Sequence, residues 1–269
     1  MKQYFFLSGI HRSGNTLLSG ILNQNPDLYV SPLSPLSEYL WSCHANNCQT
    51  AITYPKKQNI KHMISKMIEN LHDVEQPVVF DRSKTWIFPD NVNLIKQYIN
   101  PNPKIIYTTR PLEECVASSI KSMKSYLYYN MQNEIRNKNF LYNDEISEND
   151  NIAEYLLQFF YIPSLNFANT SINDPANKDL IYIIKYDELI YNPKITLDNL
   201  YNFLGLDLFD HDLKNITIKE KDLDHLVGIP ENVHKIEKQL IQNKINVSNF
   251  ISEKMIDRCS LISSNYRVW

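Results

Sequence analysis

Eight residues near the N-terminus, 9-GIHRSGNT-16, have the types and spacing needed to hold an anion. Gly-x-x-x-x-Gly followed by two residues is the frame of a phosphate-binding loop, and its last position has the Thr that the frame requires. Gly9 lets the chain turn off a preceding strand. Gly14 lets backbone N–H groups approach a negative group at the start of a helix, where the helix dipole also favours it. The penultimate position holds Asn15 where triphosphate-binding loops place Lys, so the cation that reaches the outer phosphates of ATP is missing. Arg12, three residues earlier, puts a fixed charge beside a shorter anion instead. The bland alternative is a plain tight turn between a strand and a helix.

More reactive side chains lie where other strands end. The runs 3-QYFFLS-8, 77-PVVFD-81, 104-KIIYTT-109 and 180-LIYIIK-185 are short, rich in β-branched and aromatic residues, and nearly continuously apolar, as buried parallel strands are. Gly9, Asp81, Arg110 and Tyr186 fall at their carboxyl ends. Ligands gather at such ends in open α/β sheets, so four strands converge on one crevice. Ser118 follows Arg110 by eight residues on the next predicted helix, with Ser119 as its register alternative.

The elements that must position these groups follow from periodicity. Leu17, Leu18, Ile21 and Leu22 recur at helical spacing until 25-NPD-27 ends the run. Residues 59 to 72 place Ile60, Met63, Ile64, Met67, Ile68 and Leu71 on one face. Further helices are predicted at about 91 to 99 and from 112 to about 128. The stretch 192-NPKITLDNLYNFLGL-206 supplies an N-cap Asn192, Pro193 at the first helical position and a Gly205 stop. Strands alternating with helices predict an α/β fold, a three-layer α/β/α sandwich of the P-loop NTPase-like type with a central parallel sheet, in a single domain over residues 1–269. Residues 124 to 170 carry Tyr126, Tyr128, Tyr129, Tyr155, Phe159, Phe160 and Tyr161 at largely helical spacing, which suits helix packing. An acceptor cleft or a homodimer contact is the other use for them.

Composition excludes several classes. With 269 residues and a formal net charge of -3, nothing in the balance suggests a nucleic-acid binder, and any anion site must be local. The apolar run at 1-MKQYFFLSGI-10 is too short for a signal peptide, and no segment approaches the roughly 20 apolar residues of a membrane span. A cytoplasmic protein is the expectation. Of the four cysteines, Cys43, Cys48, Cys115 and Cys259, only Cys43 and Cys48 are close enough in sequence to suggest a pair, and no second pair has zinc-ligand spacing.

The loop 11-HRSGNT-16 resembles the 5′-phosphosulfate loop of sulfotransferases that use 3′-phosphoadenosine 5′-phosphosulfate (PAPS), in the Arg version found in tyrosylprotein and many bacterial members. Two later stretches match in order. In 104-KIIYTTRPLEECVASSIKSM-123 an Arg at a strand end and a Ser on the next helix resemble the 3′-phosphate motif. The third, 182-YIIKYDELIYNPKITLDNLYNFLGL-206, is similar to the late strand and helix. The resemblance implies transfer of a sulfuryl group from PAPS to a hydroxyl on a small molecule, glycan or peptide, without metal in the chemistry, leaving adenosine 3′,5′-bisphosphate (PAP). It implies that Arg12, Ser13, Gly14, Asn15 and Thr16 contact the 5′ end, with His11 beside them. Arg110 and Ser118 would share the 3′-phosphate, and Tyr186 would touch the cofactor. In the tail, 233-VHKIEK-238 is similar to a segment that closes over that phosphate, making His234, Lys235 and Lys244 candidates. Arg12 would also stabilise the departing phosphate.

One departure concerns the base. The tyrosylprotein branch has a Glu shortly after the first helix, whereas 28-LYVSPLSPLSEYLW-41 has Ser and Pro there. The candidates are Asp81, then Glu38, then His11, with an orienting or capping carboxylate as the alternative use of Asp81. The competing readings are a P-loop kinase or NTPase, which needs a replacement for the missing Lys, and a nucleotide-binding module without catalysis.

Overall fold

The computed structural model describes residues 2–45, 60–220, 222–230, 233–241 and 245–268. Its centre is a five-stranded sheet of β1 (Gln3–Gly9), β2 (Leu28–Leu33), β3 (Val78–Arg82), β4 (Ile105–Thr109) and β5 (Ile181–Lys185). The order is β2-β3-β1-β4-β5, and every pairing is parallel. Leu7 lies opposite Arg82, Gly9 opposite Thr108, and Thr109 opposite Lys185, so the carboxyl ends of the inner strands finish along one edge. This is the predicted α/β arrangement.

Alternate residues of each strand feed two cores. Phe5, Leu7, Val78, Phe80 and Ile106 pack with α1 (Asn15–Leu22) on one face, together with α8 (Tyr186–Tyr191) and α9 (Pro193–Leu204). Phe6, Ile105 and Tyr107 face the other layer, which holds α2 (Leu36–Ala45), α3 (Ile60–Leu71), α4 (Pro89–Tyr98), α5 (Leu112–Arg136), α6 (Glu148–Leu156), α7 (Ile162–Asn173) and α10 (Glu253–Ser263). Burying a side chain the size of Phe6 or Phe80 contributes about 1.5–3 kcal/mol, and both are fully buried.

Several boundaries differ from the sequence expectation for physical reasons. β2 was not predicted as a strand, because Ser31 and Pro32 interrupt its apolar run. It is an edge strand with a register shift between Val30 and Leu33, where a Pro is tolerated. The helix predicted from 112 to about 128 continues to Arg136, carried by the buried Met131, and bends at Met123, whose φ of -136° is non-helical. Asn192 stands at the start of α9, but its side chain makes no cap. Its carbonyl accepts from both the amide and the hydroxyl of Thr196 instead. A π-helical turn, Leu157–Tyr161, joins α6 to α7. Of the aromatics between 124 and 170, Tyr155 and Tyr161 are core residues, while Tyr129 and Phe160 are exposed. After α9 an irregular segment returns across the α1 side, tied to itself by Ile216 N–H to the Lys238 carbonyl at 2.6 Å and Leu240 N–H to the Leu213 carbonyl at 2.8 Å. The pair Cys43 and Cys48 cannot be described, because Cys48 lies outside the described residues.

Candidate active site

The loop between β1 and α1 is braced from beneath. Thr108 on β4 donates its hydroxyl to Asn15 Oδ1 at 3.0 Å and lies 2.6 Å from the Ser13 hydroxyl. Asn15, at the position of the missing Lys, is therefore committed to holding the loop. A Cβ on Gly9 would lie 2.7 Å from Asn15 Nδ2 and 2.8 Å from Ser13 Oγ, so only Gly permits this closure. Gly14 has a φ of 99°, which L side chains rarely adopt, and a Cβ there would meet the Tyr186 ring at 2.7 Å. The loop thus delivers its amides to the start of α1 with Tyr186 laid against it.

The second anchor forms on the same side. Arg110, at the end of β4, stacks its guanidinium 4.2 Å from the centre of the Tyr186 ring and donates Nε to Glu114 Oε2 at 2.9 Å. Arg12 does not stay over its own loop. It donates Nε to Ser118 at 3.2 Å, a terminal nitrogen to Ser122 at 3.1 Å and the other to the Val233 carbonyl at 2.6 Å. Loop and anchor are thereby contiguous. Burial, with Arg110 nearby, lowers the proton affinity of Arg12, though far too little to discharge an arginine. Ser118 faces this cluster. Ser119 is turned into the core against the Tyr161 hydroxyl at 3.0 Å, which decides the register.

Across the loop, at the ends of β2 and β3, lies a group of charges whose carboxylates, Asp222 and Asp224, the sequence did not disclose. Arg82 donates to Asp222 at 2.5 Å and approaches the Thr16 hydroxyl at 3.4 Å, so the hydroxyl that a triphosphate enzyme gives to Mg²⁺ here meets a guanidinium. Asp222 also accepts from the Leu33 amide at 2.6 Å. Lys84 donates to His11 Nδ1 at 2.7 Å if the imidazole is neutral, and it is: burial, then Lys84 and Arg12, hold His11 well below its ordinary range. Lys84 is reached by water yet surrounded by protein, and this crowding, with Arg82 and Arg12, brings its ammonium down to about 8. His234 lies 2.6 Å from Asp224 and 3.5 Å from Asp222. Those carboxylates repel a phosphate, so His234 is poorly placed for the 3′-phosphate contact that the resemblance implied.

The structure does not bring the two carboxylate candidates to this place. Asp81 is fully buried, and its oxygens accept from Ser34 at 2.6 Å, His72 at 2.7 Å and the Trp86 indole at 2.7 Å. Strand parity is the cause: Asp81 points to the α3 layer and Arg82, its neighbour, to the loop. Glu38 lies on α2, exposed, accepting from Ser37, and takes no part in the cavity wall. Asp81→Ala is expected to strand three buried donors and to lower folding stability by roughly 3–5 kcal/mol, read as a fall in the urea midpoint. A variant with wild-type stability and no other defect than turnover would restore Asp81 as a catalytic candidate.

The remaining candidates line one cavity of about 400 Å³, within the usual range for ligand sites. His11, Arg12, Ser13, Gly14, Asn15, Thr16, Arg110, Ser118, Tyr186, His234 and Lys235 all border it, whereas Lys244 lies outside the described residues. Among the described residues, Arg12, Arg82, Lys84, Arg110, Lys121 and Lys235 contribute positive charge against Asp222 and Glu237, a cationic pocket in a chain whose net charge is -3.

A glycine-rich loop opening a helix, at the carboxyl edge of a parallel sheet and facing a cationic cavity, defines a phosphoester-binding α/β protein. The model of the sulfotransferase family matches residues 5–211, and the chain belongs to that family, whose reaction is sulfuryl transfer. Mouse sulfotransferase SULT7A1, solved with PAP, superposes with a TM-score of 0.50 at 12% identity, covering 99% of this chain and 85% of that one. The sulfotransferase of Alicyclobacillus acidocaldarius gives 0.47 at 16%, covering 79% and 85%. The sulfotransferase domain of the Synechococcus PCC 7002 olefin synthase gives 0.47 at 17%, covering 93% and 94%. At 12% identity the mouse structure bears on the fold alone, and no argument rests on the two at 0.47. No curated protein matches the chain in sequence.

Proposed function

We propose that the cavity takes PAPS as sulfuryl donor and releases PAP, passing the group by direct in-line transfer to a hydroxyl on a small molecule, glycan or peptide. The observation that carries this is the meeting of Arg12 with Ser118 at 3.2 Å, beside Arg110 stacked on Tyr186, which joins a phosphate loop to a second anion anchor that ATP does not need. The buried Nε of Arg82 has no hydrogen-bond partner among the described residues and fits an anionic ligand too. PAPS supplies the activated sulfuryl group. The chain supplies amides from the start of α1, the Arg110 and Ser118 pair for the 3′-phosphate, and Arg12 and Lys84 as fixed positive charge where the departing phosphate gains negative charge. Few dispersed cysteines suit a cytoplasmic setting.

The kinase reading is disfavoured by Asn15, which is spent on Thr108, and by Thr16, which meets Arg82. The decisive assay is incorporation of labelled sulfate from PAPS into hydroxyl acceptors of a lysate. Wild-type turnover supports transfer, and PAP binding without turnover favours a module that lacks catalysis.

A pH dependence follows from Lys84. A bound anion stabilises the ammonium, so binding takes up protons near and above pH 8, and PAP affinity falls as pH rises through about 8. Calorimetric titrations at pH 7 and pH 9 measure this. Lys84→Met is expected to flatten the difference, and an unchanged slope in that variant would assign the dependence elsewhere.

A further inference from the structure

We infer that His234, oriented by Asp224, is the base that takes the proton from the acceptor hydroxyl. The proposal rests on the sulfuryl-transfer reading and supplies the group that the tyrosylprotein-like Glu position lacks. His234 Nδ1 sits 2.6 Å from Asp224 Oδ2, and a neutral imidazole held this way donates from Nδ1 and keeps its lone pair on Nε2. The ring borders the cavity, and the segment that carries it is tied down on the β2 and β3 side, since Asp222 bridges the Leu33 amide and Arg82 while Arg12 holds the Val233 carbonyl. His234 meets Asp222, Lys84 and His11 beside the loop, and this is where the proposal puts the acceptor against the sulfuryl end of the donor.

Three titratable groups beside His234, Asp222, His11 and Lys84, are already engaged. Asp222 is taken by Arg82 and a backbone amide, His11 Nδ1 accepts from Lys84, and Lys84 is charged below about pH 8. The groups that face His234 are Asp224, Asp222, Lys84 and His11, with Lys235 and Glu237 following on its own segment. Burial lowers the imidazole below its ordinary range while Asp224 opposes that shift, so the ring is unprotonated at neutral pH and ready to accept. In the step, the acceptor oxygen forms a bond to sulfur as the bond from sulfur to the bridging oxygen breaks. That electron pair leaves on the 5′-phosphate of PAP, and the hydroxyl proton passes to His234 Nε2 and then to water.

The test compares wild type, His234→Gln and Asp224→Asn, using labelled PAPS with 2-naphthol, 1-butanol and N-acetylglucosamine as acceptor probes, with PAP titration and thermal melting alongside. His234→Gln is expected to bind PAP as wild type does, to lose turnover roughly 100-fold or more, and to lose the acid limb of the pH–rate profile. Asp224→Asn is expected to move that limb to lower pH, because the carboxylate raises the proton affinity of the ring. Wild-type turnover in His234→Gln, an unchanged acid limb, or loss of PAP binding in that variant overturns the assignment. A wild-type protein that binds PAP and sulfates none of the probes overturns the transfer reading and this proposal together, an outcome told apart by its intact PAP signal.

Discussion

Arg12→Ala lowers kcat/KM for sulfuryl transfer about 100- to 1000-fold, with a fall in melting temperature from its three lost hydrogen bonds too small to account for that loss. From the loop, Arg12 extends its side chain to Ser118 and Ser122 on α5 and to the Val233 backbone together. It holds a left-handed φ of 66°, so its backbone is already aimed by the turn, and Ala there gains nothing in compensation. Its loss removes a positive charge from a partly dry cavity and releases the segment that carries His234. Arg12→Lys separates the two contributions. A single ammonium keeps the charge but lacks the fork that spans two serines and a carbonyl, so it is expected to recover affinity more than turnover. If Arg12→Ala retains wild-type kcat/KM, Arg12 is only a tether and the charge argument fails.

Arg110→Ala is expected to raise the Kd for PAP roughly 10- to 150-fold, the equivalent of losing a charge-assisted pair worth about 1.5–3 kcal/mol. Stacking on Tyr186 and the bond from Nε to Glu114 fix the guanidinium plane and direct its remaining nitrogens. On the proposed reading the effect belongs to the 3′-phosphate, so the variant should discriminate less between PAP and AMP than wild type does. Equal loss of affinity for both nucleotides would place the 3′-phosphate elsewhere.

Sequence showed the parts of the site that are local. The loop from Gly9 to Thr16, Arg110 after its strand and Ser118 on the next helix are short stretches whose spacing is set by one turn or one helix, and Tyr186 begins the helix after β5. Asp81 was misplaced because a carboxylate at a strand end reads the same whichever face it takes. The alternation that puts Phe80 in the α1 layer puts Arg82 there as well and sends Asp81 to His72 and Trp86. Asp222 and Asp224 gave no signal at all. They reach the site through an irregular segment of more than a dozen residues whose path depends on tertiary contacts, such as Leu33 and Arg82 on Asp222, and no periodicity records that. β2 escaped for a related reason, since Ser31 and Pro32 suit an edge position only once its neighbour is known.

The central claim is that one cationic cavity grips an adenylate carrying a 3′-phosphate and no polyphosphate tail. Calorimetric titration of the wild-type protein with PAP and, separately, with Mg-ATP tests it most directly. PAP is expected to bind with single-site stoichiometry and at least tenfold more tightly than ATP, since a 3′-phosphate contact is worth about 1.4 kcal/mol or more. Equal or tighter binding of ATP would contradict it.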